Sequence, residues 1–273
     1  MDRPVWAPQG IDLDVPSVSR MYDYYLGGSH NFEVDREAAR RAIEAWPGLP
    51  KIMQTNRAFM RRAIRFALSE GVTQFLDIGS GIPTFGNVHE VAQAAEPASR
   101  VVYVDNDPVA VAHSEAVLAG NDHAGIVSAD FRSPSDVLRS DEAERLLDLE
   151  RPVALMVVAL LHFVEDRDEP DKALAAFFDQ LAPGSLLVIS HGCLEGAPAR
   201  DRGDRLQKVY EEASSPLVIR SKAQILRFFD GWELVEPGLV SLPHWRPDSP
   251  PEWEDSAVFT GYAGVGRKVG HLG

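Results

Sequence analysis

At 273 residues the chain has the length of one α/β domain with extensions. Its 41 acidic residues outweigh 27 basic ones for a net charge of −14, which argues against a nucleic-acid substrate, whose phosphates require a basic face. A single cysteine, Cys193, excludes an internal disulfide and a cysteine-rich metal site. With neither a charged-then-apolar leader nor a membrane-length apolar span, the expectation is a cytoplasmic protein with no membrane partner.

In chain order, residues 1–16 are Pro-rich and read as irregular. Val18, Met21, Tyr22, Tyr25 and Leu26 then recur at helical spacing until Gly27-Gly28 stops the helix. Glu33–Trp46 reads as a second helix and Pro50–Glu70 as a third, whose Arg57, Arg61, Arg62 and Arg65 read as a solvated face. Residues 1–71 are thus a helical cap or lid segment ahead of a domain spanning 72–273. In that domain apolar runs alternate with helices. Strands are expected to end at Asp77 and Asp105 and to cover Gly125–Ala129, Val153–Leu161 and Gly184–Ser190. Helices are expected near Asn87–Ala95, from Pro108, and over Asp171–Leu181, Asp201–Ala213 and Ser221–Phe229. Trp232–Leu239 and Ala257–Val265 have no long helix between them and read as an antiparallel pair. The sum is a doubly wound, mostly parallel sheet of seven strands with helices on both faces.

Two of the strands end in an acid. Phe75-Leu76-Asp77-Ile78 leads into Gly79-Ser80-Gly81, and Val101-Val102-Tyr103-Val104 ends at Asp105. A buried carboxylate needs a partner, and the glycines allow backbone N–H groups to come close to a bulky ligand. The second acid falls where an α/β sheet offers a carboxylate to ribose hydroxyls. A dinucleotide site would want G-x-G-x-x-G, but Thr84 stands at the third glycine, and Asp77 would repel a pyrophosphate. A sulfonium and an ammonium would be attracted instead. The D-x-G-x-G pattern with a later strand-end Asp resembles the class I S-adenosylmethionine-dependent methyltransferases.

A narrower likeness joins the two halves. Arg20-Met21-Tyr22-Asp23-Tyr24-Tyr25-Leu26-Gly27-Gly28, Asn31-Phe32, Asp35-Arg36, Asn56-Arg57-Ala58-Phe59, Gly79-Ser80-Gly81-Ile82-Pro83-Thr84, Pro237-Gly238 and Trp245-Arg246-Pro247 resemble an actinobacterial family of uncharacterised S-adenosylmethionine-dependent methyltransferases, known as a domain of unknown function with the class I (Rossmann-like) fold. That resemblance implies S-adenosyl-L-methionine as cofactor and supplies no acceptor. It further implies that Gly79, Ser80 and Gly81 pass under the methionine part with Asp77 near it, and that Asp105 accepts the ribose hydroxyls. Asn106 and Asp107 would border adenine or ribose, Asp130 would accept the adenine amino group, Phe131 would pack on the ring, and Ala159-Leu160 would line the sulfonium. Pro83 stands where the common motif has its last glycine.

Several residues carry a second, plainer reading. Asp107 before Pro108 suits a helix cap, and Asp130 suits a turn cap. His162 and His191 follow strands where open α/β sheets build sites; each is a candidate base or a packed core histidine. Tyr22 is a second candidate base or a core residue. Tyr22 and Asn31, beside Gly27-Gly28, are expected to close a lid over cofactor and acceptor, or else the first helix simply shields a sheet edge. Trp245-Arg246-Pro247 is either an acceptor-specificity loop or a loop held down by its tryptophan. No His, Asp or Glu group has metal-ligand spacing. The leading expectation is a methyltransferase acting on a small molecule; the rivals are a cofactor-binding protein without transfer activity and a protein methyltransferase.

Overall fold

The strand and helix pattern resolves, in a computed structural model, into one mixed sheet preceded by helices; residue 8 and residues 11–84, 86–193, 200–250 and 261–270 are described. Three helices come first: α1 (Val18–Tyr25), α2 (Glu33–Ala45) and α3 (Leu49–Ser69). Strands β1 (Gln74–Ile78), β2 (Arg100–Asp105), β3 (Ala124–Ser128), β4 (Ala154–Val158) and β5 (Leu186–Gly192) follow. They are linked by α4 (Val88–Ala95), α5 (Pro108–Leu118), the short α6 (Pro134–Leu138) and α7 (Asp141–Leu146), and α8 (Pro170–Gln180). Then come α9 (Arg200–Glu211), α10 (Lys222–Arg227), β6 (Trp232–Leu234), β7 (Val240–Ser241) and β8 (Gly261–Lys268).

The strand order is β3-β2-β1-β4-β5-β8-β6, with β7 also paired to β8. The first five strands are parallel, and β6 and β7 run antiparallel to β8. The expected seven strands therefore gain an eighth, a two-residue pairing too short to leave a periodic trace. Residues 257–260 of the last expected strand lie outside the described residues. The short α6 and α7 were not expected, since five or six residues carry no readable helical period. Among the described residues no helix is long and apolar enough to cross a membrane.

Strand alternation splits the core in two. Phe75, Val101, Met156 and Val188 face α1–α3 and α9, while Leu76, Val102, Leu155 and Leu187 face α7, α8 and α10. Asp77 shares the first face with Phe75, two residues away on the same strand. The side chain that α3 covers at the end of β1 is therefore a carboxylate.

The N-terminal helices are bound into this scaffold by buried polar contacts. Asp35 accepts from the backbone N–H of Ser17 (2.9 Å) and Phe32 (2.8 Å) and from Arg20 Nε (2.8 Å). Ser17 Oγ also donates to Asp107, and Arg20 lies 3.7 Å from the same carboxylate. On the other side, the hydroxyls of Tyr25 and Tyr210 meet at 3.0 Å, joining α1 to α9.

Of the expected solvated arginines, Arg62 departs from that reading. It is buried, and its guanidinium donates to the carbonyls of Trp245 (2.8 Å) and Leu242 (2.9 Å). Trp245 is wholly buried and packs edge-on against Phe59 and Phe66 of α3. Of the two readings of Trp245-Arg246-Pro247, the geometry matches the loop pinned by its tryptophan.

Candidate active site

The sheet order turns at β1 and β4: from β1 the chain winds outward through β2 and β3, from β4 through β5. Open α/β sheets bind ligands in the crevice outside the carboxyl ends of such a pair. A solvent-open cleft of about 1060 Å³ lies there. Asp77, Gly79, Ser80, Gly81, Asp105, Asn106, Asp130, Phe131, Ala159 and Tyr22 all line it. Of the residues expected at a cofactor, Asp107 and Asn31 do not.

The glycine turn works differently from the expectation. The N–H groups of Gly79 and Ser80 both donate to Val104 O (2.8 and 3.1 Å), and that of Gly81 to Asp105 Oδ2 (2.7 Å). These donors serve β2 rather than a ligand. What the turn needs from glycine is conformation and space: Gly79 and Gly81 have φ of +69° and +68°, and a Cβ on Gly79 would lie 2.7 Å from Leu160 Cδ1.

Asp105 accepts Gly81 N–H on one oxygen and Asp107 N–H (2.8 Å) on the other, which leaves each oxygen a further lone pair. Burial pushes its carboxyl up to about 6 despite these bonds. Asp77 is only 6% exposed and, among the described residues, no hydrogen bond reaches its carboxylate. Burial pushes it up to about 7; Arg57 pulls the other way and Asp105 adds to the rise. Asp130, nearer the surface, is held at about 2 chiefly by Arg132, which donates from Nε (2.8 Å) and NH2 (2.7 Å); Asn106 donates as well (2.9 Å).

Sequence reasoning missed a relay that crosses the cleft wall. Ala159 N–H donates to Ser190 Oγ (2.9 Å), Ser190 Oγ to Asn56 Oδ1 (2.6 Å), and Asn56 Nδ2 to the Tyr22 hydroxyl (3.0 Å). Ala159 has φ +58°, an uncommon conformation for a residue with a Cβ, held here at the tip of β4. Asn56 stood in the family-like Asn56-Arg57-Ala58-Phe59 run, the one signal that marked it. Its neighbour Arg57 also lines the cleft and donates to Gly86 O (3.1 Å) and Asn87 Oδ1 (3.2 Å).

The plainer readings prevail at three positions. Asp107 caps α5, accepting Val109 N–H (2.8 Å), and its other oxygen takes Ser17. Asn31 is folded into its own turn, donating to Asp23 (2.7 Å) and Gly28 O (3.0 Å) and accepting from Arg36 (3.1 Å). The group that approaches Gly28 is Asp23 itself, since a Cβ there would lie 1.9 Å from Asp23 Oδ1. His191 is buried, pushed down to about 4 by burial, and hydrogen-bonded to Gly192 O and to Arg220.

His162 and Tyr22, the two candidate bases, are poorly built for taking a proton. His162 Nδ1 accepts Gly192 N–H (3.2 Å), so the ring's proton sits on Nε2 and that nitrogen donates. Burial, with His191 and Arg220 nearby, holds the imidazole well below its ordinary value. Burial likewise raises the Tyr22 hydroxyl, which therefore keeps its proton.

A buried carboxylate that receives no hydrogen bond among the described residues, beside Asp105 at the floor of a cleft, suits a cationic nucleoside and would oppose a diphosphate. Sheet order, crevice and acids together match the class I methyltransferase fold. The profile of the S-adenosyl methyltransferase family matches residues 4–269. A candidate methyltransferase from Thermobifida fusca is 39% identical with a TM-score of 0.91, over 98% of this chain and 100% of that one. A DUF574 family protein from Streptomyces avermitilis is also 39% identical, with a TM-score of 0.88 over 94% of this chain and 100% of that one. Human N-acetylserotonin methyltransferase, solved with S-adenosylmethionine, shares the fold at 14% identity and a TM-score of 0.51, over 91% of this chain and 62% of that one. No curated protein matches. The chain belongs to the S-adenosyl methyltransferase family, and its cofactor is S-adenosylmethionine.

Proposed function

We propose that the chain methylates a small molecule held beside the cofactor cleft, beneath the cap of helices α1–α3. One observation carries the reading. A second cavity shares Val18, Tyr22, Asn56, Ala159 and Phe163 with the cleft and extends from it among α1, α3 and α9. A protein acceptor would call for an open groove, and a cofactor sensor without transfer activity would need no second chamber.

In this reading Asp77 meets the cationic end of the cofactor and Asp105 the ribose hydroxyls, a charge-assisted pairing. Asn106, Asp130 and Phe131 border the adenine, and Arg57, which lines the cleft, would meet the methionine carboxylate. When bound, the cofactor supplies a methyl group already activated on a sulfonium. What remains for the chain is to align the acceptor and exclude water, which effective-molarity arguments value at roughly 7–11 kcal/mol. Tyr22, fixed by Asn56 where the two chambers meet, positions the acceptor, and His162 Nε2–H gives it a hydrogen bond.

The test is release of S-adenosylhomocysteine from the cofactor in the presence of fractionated small-molecule pools, with deproteinised pools as the decisive arm. Turnover is expected from those pools and is expected to fall at least tenfold in Asp105→Ala. Turnover that requires protein in the pool, or none at all from a chain shown to bind cofactor, would overturn the proposal.

A further inference from the structure

Among the described residues, the cavity adjoining the cleft has a neutral lining, with no Asp, Glu, Lys or Arg. Trp46, Leu49, Ile52, Met53, Leu206 and Leu217 supply much of its apolar wall. Its polar groups are neutral and largely paired with one another. Tyr25 and Tyr210 share a hydrogen bond at 3.0 Å, and burial raises both hydroxyls, so both stay protonated. His191 is fixed between Gly192 O and the Arg220 guanidinium, while His162 Nδ1 takes Gly192 N–H. Arg220 itself is turned away, donating to Leu161 O (2.6 Å), Val164 O (2.7 Å) and Asp166 (2.6 Å).

An ionised ligand entering this chamber would give up its hydration and find no counter-charge among the described residues. An uncharged apolar one would bury its surface against side chains that are themselves poorly hydrated. The chamber opens toward the cleft at Tyr22, Ala159 and Phe163, beside the turn where Gly79 meets Leu160.

We infer that this chamber is the acceptor subsite and that the acceptor is an uncharged, mostly apolar small molecule. The inference rests on the methyl-transfer reading above and narrows it. Nucleotides, amino acids, carboxylates and phosphorylated metabolites are outside its range.

N-phenyl-1-naphthylamine and 1-anilinonaphthalene-8-sulfonate form a matched pair, since both brighten on leaving water and they differ by one ionised group. With S-adenosylhomocysteine saturating the cleft, the uncharged dye is expected to bind one per chain and the sulfonate at least tenfold more weakly. Leu217→Trp, which fills the chamber at a half-buried residue that does not line the cleft, is expected to weaken the uncharged dye at least tenfold while calorimetric binding of S-adenosylhomocysteine persists. Equal affinity for the two dyes, or an uncharged dye indifferent to L217W, would overturn the inference. If L217W loses S-adenosylhomocysteine as well, the dye pair on the unsubstituted chain decides alone. A chain that takes S-adenosylhomocysteine but neither dye refutes this inference only; one that takes the dye but no S-adenosylhomocysteine refutes the methyl-transfer reading and the inference with it.

Discussion

Replacing Asp77 with asparagine keeps the shape of the side chain and removes its charge from the cleft floor. Its carboxyl ordinarily titrates at 3.8 and is pushed up to about 7 in the folded chain, chiefly by burial. The sign follows: an acid whose folded value is raised contributes its full share of stability below about pH 4, and loses it as pH rises toward 7. At about 1.4 kcal/mol per unit, the whole loss is about 4 kcal/mol, of which about 1.5 is gone by pH 5 and the rest by pH 8.5. The amide that replaces the acid has no such loss, so the melting temperature of Asp77→Asn relative to the native chain should rise between pH 5 and pH 8.5. At about 2–4 °C per kcal/mol for a chain of this size, the gap should widen by about 5–10 °C. Scanning fluorimetry of the cofactor-free protein at the two pH values measures it directly. Calorimetry at pH 8.5 should also show S-adenosylmethionine bound about 10- to 100-fold more weakly by the variant, the scale of one hydrogen bond to a charged group. A melting gap that stays constant or narrows with pH would refute the claim that Asp77 is ionisable and held high by burial in the cofactor-free protein.

Gly28→Ala drives a methyl into the Asp23 carboxylate and should cost about 1–3 kcal/mol, read as a melting temperature several degrees lower; an unchanged melt would mean the turn has room that its geometry denies. Asn56→Ala strips the Tyr22 and Ser190 hydroxyls of their shared partner and should cost about 1–3 kcal/mol, while cofactor affinity in calorimetry falls less than tenfold. Trp245→Ala empties a site between Phe59 and Phe66 and should cost about 3–5 kcal/mol in chemical denaturation, with cofactor stoichiometry retained in the folded fraction. A Trp245→Ala chain of native stability but altered acceptor preference would restore the specificity-loop reading.

The parts of this molecule that could be read from its sequence are those whose cause is local. An apolar run closed by Asp77 or Asp105 announces a buried strand whose tip must do something, because the cost of an unpaired carboxylate is visible in one dimension. Pro108 behind Asp107 likewise announces a helix start, and the cap reading of Asp107 needed no tertiary information. The Ala159–Ser190–Asn56–Tyr22 relay was invisible for the opposite reason: its members are ordinary residues on four different elements, brought together only when β4 and β5 pair and α3 lies over them. Arg62 was misjudged because helical spacing reports which face a residue occupies, not whether backbone carbonyls wait there. Nor does spacing reveal which ring nitrogen of His162 a neighbouring amide will claim.

The fastening of the first helix to Asp35 and Asp107 has a consequence for traffic. Arg20, Asp35 and Asp107 are each less than a tenth exposed, and stranding one member of such an ion pair without its partner costs about 3–5 kcal/mol. A hinged flap swinging about Gly27 would have to pull that anchor out with every turnover, at an occupancy of roughly one molecule in 10²–10⁴ by the same figure. On the acceptor reading proposed above, the leading edge of the first helix is a fixed doorpost, and molecules entering or leaving the inner chamber would pass around it rather than through a door it opens.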